Sequence, residues 1–164
     1  MQQLTQHIEN RTANIFQIVD EIAVLEGVTN ARSSGTKSSS QFNGKWLNGL
    51  WHKHYAQARF LPTNLKNHWT PAKLRQLIKE TLGERDLCAE QAAKNLSHRY
   101  VLDGYFARSS NRELTGEWIV FAKQDSKVYY LTLAAHVEKD EDIWRRCKAC
   151  SQEFPELEII QKDR

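Results

Sequence analysis

The chain opens with apolar residues from Leu4 to Leu25 that recur three, four and seven positions apart, with polar residues between them. This spacing places the apolar side chains on one face of an α-helix. We therefore predict an amphipathic helix over residues 2–26, with Gly27 as its stop. Its apolar face should pack against the rest of the chain or a second copy, because soluble monomers seldom expose such a face.

The apolar pattern stops in residues 27–44, which are rich in Ser, Gly, Thr and Asn. This composition is typical of a flexible linker. The sequence therefore predicts three parts: residues 1–26 form the N-terminal helix, 27–44 the linker and 45–164 the main domain.

Residues 46–61 fit two structures. Apolar residues follow helical spacing, most clearly in the first half, whereas a strand over Trp51–Leu61 would place His52 and His54 on one face. On a helix the two imidazoles would diverge by roughly 200°. We predict a helix in the first half and a strand in the second.

Two helices are expected next. Thr70 and Pro71 form a helix start, because threonine caps free amides and proline suits the first turn, and Gly83 ends the element. A second helix is expected from about Asp86 and should fade by Gly104.

The last third of the chain predicts a hairpin and a helix. Residues 117–123 and 128–135 are rich in β-branched and aromatic residues and are joined by the polar turn "QDS". A helix from about Asp140 should carry Cys147 and Cys150 on its apolar face, and "FPELEII" is interpreted as a final strand. Because strands and helices do not alternate, we predict an α+β fold with an antiparallel sheet.

The composition favours a single folded domain. The chain has 164 residues, of which 40% are hydrophobic and 26% charged, and no apolar run reaches the ~18 residues of a bilayer span. The N-terminus shows no secretory signal, and three cysteines are too few to cross-link a secreted scaffold. We therefore expect a cytoplasmic protein that needs neither a membrane nor a cofactor.

Positive charge is concentrated in one segment. The net charge is only +3, yet the stretch from Lys45 to Lys79 contains Lys, Arg and His and no Asp or Glu. An acidic partner such as RNA would suit this segment.

The residues of this segment predict acid–base chemistry on RNA. Cleavage through the 2′-hydroxyl needs a base, an acid and cations for the phosphate. We predict His52, His54, Arg59 and His136 as catalytic residues, because imidazole transfers protons near neutral pH and guanidinium binds phosphate. The predicted RNA-contacting residues are Lys53, Tyr55, Lys66, His68, Lys123 and Tyr130.

Two other interpretations of the histidines remain open. An H-x-H pair could ligate zinc with His68, His98 or His136 as a third ligand, although no H-E-x-x-H motif is present. The histidines could also be ordinary side chains at the edge of the core.

The block "LTGEWIVFAKQDSKVYYLTLAAHVEKDEDIW", about a fifth of the chain, is similar to the C-terminal part of RelE and HigB family toxins. In those proteins a strand with a pattern such as L-x-G-x-W-R-I precedes a turn, a strand ending in an apolar run and a charged continuation. The resemblance implies helices with an antiparallel sheet, metal-independent RNA cleavage and an antitoxin partner. It also implies that Lys123, Tyr130 and His136 lie on or near the active face.

A non-catalytic function is the alternative hypothesis. The N-terminal helix could recruit a protein partner, or a second copy of the chain, to a binding or regulatory module.

Overall fold

The computed structural model describes residues 13–32, 34–83 and 87–162. These ranges contain six α-helices and a four-stranded antiparallel sheet in the order β1-β2-β3-β4, so the predicted α+β class is confirmed. None of the helices in these ranges has the length and apolar character needed to cross a membrane. The helices are α1 (Ile15–Leu25), α2 (Leu61–His68), α3 (Pro71–Gly83), α4 (Ala89–Ser110), α5 (Asp140–Ala149) and α6 (Glu158–Gln161), and the strands are β1 (Ser40–Gln41), β2 (Trp51–Tyr55), β3 (Glu117–Gln124) and β4 (Lys127–Ala134).

The predicted hairpin is confirmed. Strands β3 and β4 pair antiparallel from Trp118 and Ala134 to Gln124 and Lys127, with a bulge between Val120 and Phe121. The turn contains two residues rather than three, since Asp125 and Ser126 both have positive φ, of 50° and 63°. That backbone matches the right-handed twist of a tight hairpin.

The sheet buries apolar residues on both faces. The larger core joins Val120 and Ala122 of β3 to Ile143 and Cys147 of α5. The predicted apolar face of α5 is thus confirmed, with Cys147 fully buried and Cys150 half-buried.

The smaller core lies on the other face of the sheet and holds α1. Ile18 and Ile22 of α1 pack there with Tyr55 of β2 and Ile119 of β3. The predicted packing of the N-terminal helix is therefore confirmed over α1, and residues 2–12 of that prediction lie outside the described residues.

The serine-rich segment contributes to the packed structure. Thr36 is 1% exposed, and its hydroxyl donates a hydrogen bond to the Glu21 carboxylate 2.8 Å away. Strand β1 lies within this segment and pairs with His52 and Trp51 of β2. Polar side chains of the segment satisfy buried polar partners, so much of its packing does not depend on apolar residues.

Several predicted elements were wrong, beginning with the helix expected in the first half of residues 46–61, where the chain forms turns over residues 45–49. Strand β2 ends at Tyr55 rather than Leu61, and a 3-10 turn and α2 follow it, with a proline in the first turn of α2. The "FPELEII" segment contains α6 instead of a strand, because Gln124 accepts a hydrogen bond from the Glu158 amide that opens this helix.

The sequence predicted that α4 fades by Gly104, but the helix continues to Ser110. A Cβ on Gly104 would lie 2.6 Å from Nε1 of Trp69. The glycine therefore allows the Trp69 indole to pack closely against α4 and does not end the helix.

Candidate active site

Three histidines lie around Trp118 near one end of the sheet. The period of β2 places His52 and His54 on the same face, and the register pairs His54 with Trp118. On the other side of β3, Trp118 pairs with Ala134, the last residue of β4. His136 follows two residues later, so the chain brings it to the same tryptophan.

The rings of this histidine cluster, which we define as His52, His54, His136 and Trp118, are in close contact. Ring centroids of His52 and His54 are 5.5 Å apart, and those of His54 and His136 are 5.2 Å apart with nearly parallel planes. The Trp118 ring lies 4.2 Å from His136 and 5.3 Å from His52. The structure therefore brings together the three histidines that the sequence singled out, and their catalytic role stays a prediction.

The surroundings of the cluster favour the neutral form of its imidazoles. Burial lowers the pKa of His52 and of His54 to about 4, and it also lowers the pKa of His136. The positive charge of Lys37 contributes to the lowering of all three pKa values, and nearby histidines contribute to the lowering at His52 and His54. At neutral pH each of these rings can accept a proton.

The tautomer of His54 follows from its contacts with Gly116. Nδ1 of His54 lies 2.9 Å from the Gly116 carbonyl oxygen, and the Gly116 amide nitrogen is 3.4 Å from the same Nδ1. In a neutral ring Nδ1 either donates a proton or accepts one, so only one of these two contacts can be a hydrogen bond. The shorter contact identifies the tautomer, because a lone pair on Nδ1 would repel the carbonyl oxygen. Nδ1 therefore carries the proton and donates it to Gly116, and Nε2 carries the free lone pair.

Two buried polar atoms of the cluster have no hydrogen-bond partner among the described residues. They are Nδ1 of His52 and Nε1 of Trp118. Nε2 of His52 lies 3.3 Å from the Ser40 hydroxyl. Both atoms are buried, so this unsatisfied hydrogen-bonding capacity lies inside the cluster and not on its open surface.

Arg59 lies beside the cluster in an ion pair with Glu117. The other carboxylate oxygen of Glu117 accepts a hydrogen bond from the His136 amide, 3.1 Å away. Burial raises the pKa of the Glu117 carboxyl, whereas the Arg59 charge opposes this shift. The Arg59 side chain is 60% exposed, so it can meet a phosphate while Glu117 holds it near His136.

The structure places Lys53 and Tyr55 away from the cluster, on the face of the sheet that packs against α1. Lys53 is 4% exposed and forms an ion pair of 3.0 Å with Glu21 of α1. Its ammonium group also donates to the Thr36 hydroxyl, 2.6 Å away. Tyr55 is 3% exposed in the smaller core.

The other four predicted RNA-contacting residues also lie outside the cluster. The Tyr130 hydroxyl donates to Glu26, 2.6 Å away, in the part of the sheet next to α1. Lys123 has its ammonium 4.2 Å from the centre of the Trp51 ring. Lys66 is exposed on α2, and the His68 ring packs 4.6 Å from Trp69. Of the residues implied by the toxin resemblance, the cluster contains His136 alone.

Sequence reasoning missed several residues of this site. Ser40 and Phe42 come from the serine-rich segment, and the Phe42 ring lies 4.4 Å from His52. Lys37 belongs to the same segment. The one usable signal was Glu117, a carboxylate directly before the apolar run of β3.

Among the described residues, no three His, Cys, Asp or Glu side chains are arranged to hold a metal ion. Comparisons with family models, curated proteins and solved structures find no match to this chain.

Proposed function

We propose that this chain is a toxin-like endoribonuclease that cleaves RNA without a metal ion. The observation that carries the proposal is the convergence of His52, His54 and His136 around Trp118, with Arg59 and Lys37 beside them. This set contains a base, an acid and two cations, which are the groups that cleavage through the 2′-hydroxyl requires.

His54 acts as the general base in this proposal. Its Nε2 lone pair takes the proton of the 2′-hydroxyl, because Nδ1 is engaged with the Gly116 carbonyl. The 2′-oxygen then attacks phosphorus, and the bond from phosphorus to the 5′-oxygen breaks. The products are a 2′,3′-cyclic phosphate and a 5′-hydroxyl.

His136 acts as the general acid and gives its proton to the departing 5′-oxygen. It is the exposed histidine of the cluster, and hydrogen bonding to the Gly116 backbone raises its pKa against the effect of burial. A phosphodiester bound beside the rings would favour protonation of an imidazole, since the anion offsets the repulsion among them.

The remaining groups bind the phosphate. Arg59 and Lys37 supply positive charge to it. His52 lies between Ser40 and His54 and is suited to hydrogen-bond the ribose or phosphate.

The alternative, a binding module recruited through the N-terminal helix, has weaker support. Ile18 and Ile22 of α1 already pack in the smaller core, which leaves Phe16 and Val19 as the exposed apolar residues of this helix. A protein partner such as an antitoxin, or a second copy, would have to use those residues.

The test is the pH dependence of RNA cleavage by wild type, His54→Asn, His136→Ala and Arg59→Ala. Asparagine keeps a donor for the Gly116 carbonyl and removes the base, and loss of one proton-transfer group should cost ~10²- to 10⁴-fold in rate. The optimum should be acidic, because the base must be deprotonated, above about pH 4, and the acid has a pKa below its ordinary value.

His98→Ala is the matched control, since His98 is exposed on α4. It should cleave like wild type. A wild-type protein that leaves RNA intact across this pH range, or a His54→Asn variant with full activity, would refute the proposal.

A further inference from the structure

A polar groove of about 530 Å³ lies on the opposite side of β2 from the histidine cluster. Lys53 lines it, and Lys53 alternates with His52 and His54 along the same strand. The other walls are the end of α1 with the loop after it, the serine-rich segment, Arg112 and Lys123.

The groove is positively charged. Its lining residues include Lys53, Arg112 and Lys123 and no carboxylate. Glu21 neutralises Lys53, whereas Arg112 and Lys123 are exposed and form no ion pair with a described residue. Two cations therefore remain for an anionic ligand.

The serine-rich segment connects this groove to the histidine cluster. Ser38 and Ser39 line the groove, while the next residue, Ser40, contacts the cluster. Lys37 acts electrostatically on the three histidines, and the Ser40 hydroxyl lies 3.3 Å from Nε2 of His52. A ligand that follows this segment would meet both sites in succession.

We infer that the groove binds phosphates of a single RNA strand next to the phosphodiester held in the histidine cluster, an inference that rests on the proposed function. The connection through residues 37–40 favours a polyanion long enough to reach both sites. Because the path bends around the short edge strand β1, it suits a flexible single strand better than a stiff duplex. Serine hydroxyls and separate cations are suited to phosphate oxygens.

The test compares the Arg112→Ala/Lys123→Ala variant with Arg75→Ala/Lys94→Ala, a matched control on exposed positions of α3 and α4. Binding of a labelled single-stranded RNA is measured at several salt concentrations in the His54→Asn background, so that the RNA stays intact. The groove variant should bind at least about tenfold more weakly. The slope of the logarithm of the binding constant against the logarithm of the salt concentration should become shallower by about 1.4. Each of the two lost phosphate contacts on a single strand contributes about 0.7 to that slope.

The same substitutions are then tested in the otherwise wild-type chain, where kcat/KM for cleavage should fall by the factor lost in binding. If wild type cleaves RNA and the groove variant binds and cleaves like its control, the groove inference is overturned and the proposed function stands. If wild type cleaves nothing but binds RNA through Arg112 and Lys123, the groove inference holds and the proposed function fails. Binding of polyglutamate, a model of an acidic protein, is measured with the same variants. If the groove variant loses polyglutamate binding but keeps RNA binding, the inference is overturned in favour of an acidic protein partner.

Discussion

Acidification should destabilise this protein through the buried imidazole of His54. The side chain is 5% exposed, and burial lowers its pKa from 6.5 to about 4. In the unfolded chain the ring has its ordinary pKa. Between these two values the unfolded state binds a proton that the folded state does not, so the free energy of unfolding falls as the pH falls.

The size of the effect follows from the two pKa values. Moving from about pH 7.5 to about pH 5 should remove roughly 2 kcal/mol of stability through His54 alone, since the unfolded ring is almost fully protonated at the lower pH. For a chain of this size that corresponds to a fall of about 4–8 °C in Tm. His52 and His136 contribute in the same direction, whereas the raised pKa of Glu117 contributes in the opposite one.

Urea denaturation of wild type and His54→Asn at both pH values isolates the contribution of His54. The variant keeps a donor for Gly116 but does not titrate, so its loss of stability on acidification should be smaller than that of wild type by roughly 2 kcal/mol. His98→Asn, an exposed control on α4, should behave like wild type. Equal losses in wild type and His54→Asn would refute the reasoning.

Two further predictions concern packing and charge. Gly104→Ala should destabilise the fold by about 1–3 kcal/mol, because the new Cβ would meet the Trp69 indole. Gly83→Ala is the control, since no described residue has an atom within 4 Å of the new Cβ, and it should leave stability unchanged. Equal urea midpoints for the two variants would contradict this prediction. Lys53→Met should cost about 3–5 kcal/mol, because it leaves the buried Glu21 carboxylate unpaired. The double variant Lys53→Met/Glu21→Leu should recover much of the lost free energy of unfolding in the same urea assay, because no buried charge is left. A double variant less stable than Lys53→Met alone would argue against a charge effect.

Elements with local signals could be predicted from the sequence. The hairpin was predictable because two β-rich runs flank a short polar turn, and α3 because Thr70 and Pro71 mark its start. Gly104 misled the prediction of α4, because a glycine that ends a helix and one that admits a neighbouring ring look alike in sequence.

The site could be predicted only in part for a related reason. The alternation of a strand places His52 and His54 on one face, but the arrival of His136 depends on the register of β2, β3 and β4. Lys53 illustrates the limit most clearly. Its burial depends on Glu21, a residue of a separate helix whose approach no local pattern reveals.

The most direct test of the central claim is the chemistry of the cleaved ends. A synthetic RNA is incubated with wild type in the presence of EDTA, and the products are identified by mass spectrometry. We predict a 2′,3′-cyclic phosphate and a 5′-hydroxyl, with no effect of EDTA and a loss of at least about 10²-fold in the His54→Asn variant. Intact RNA, or cleavage that EDTA abolishes and that leaves 5′-phosphate ends, would contradict the claim that the histidine cluster cleaves RNA without a metal.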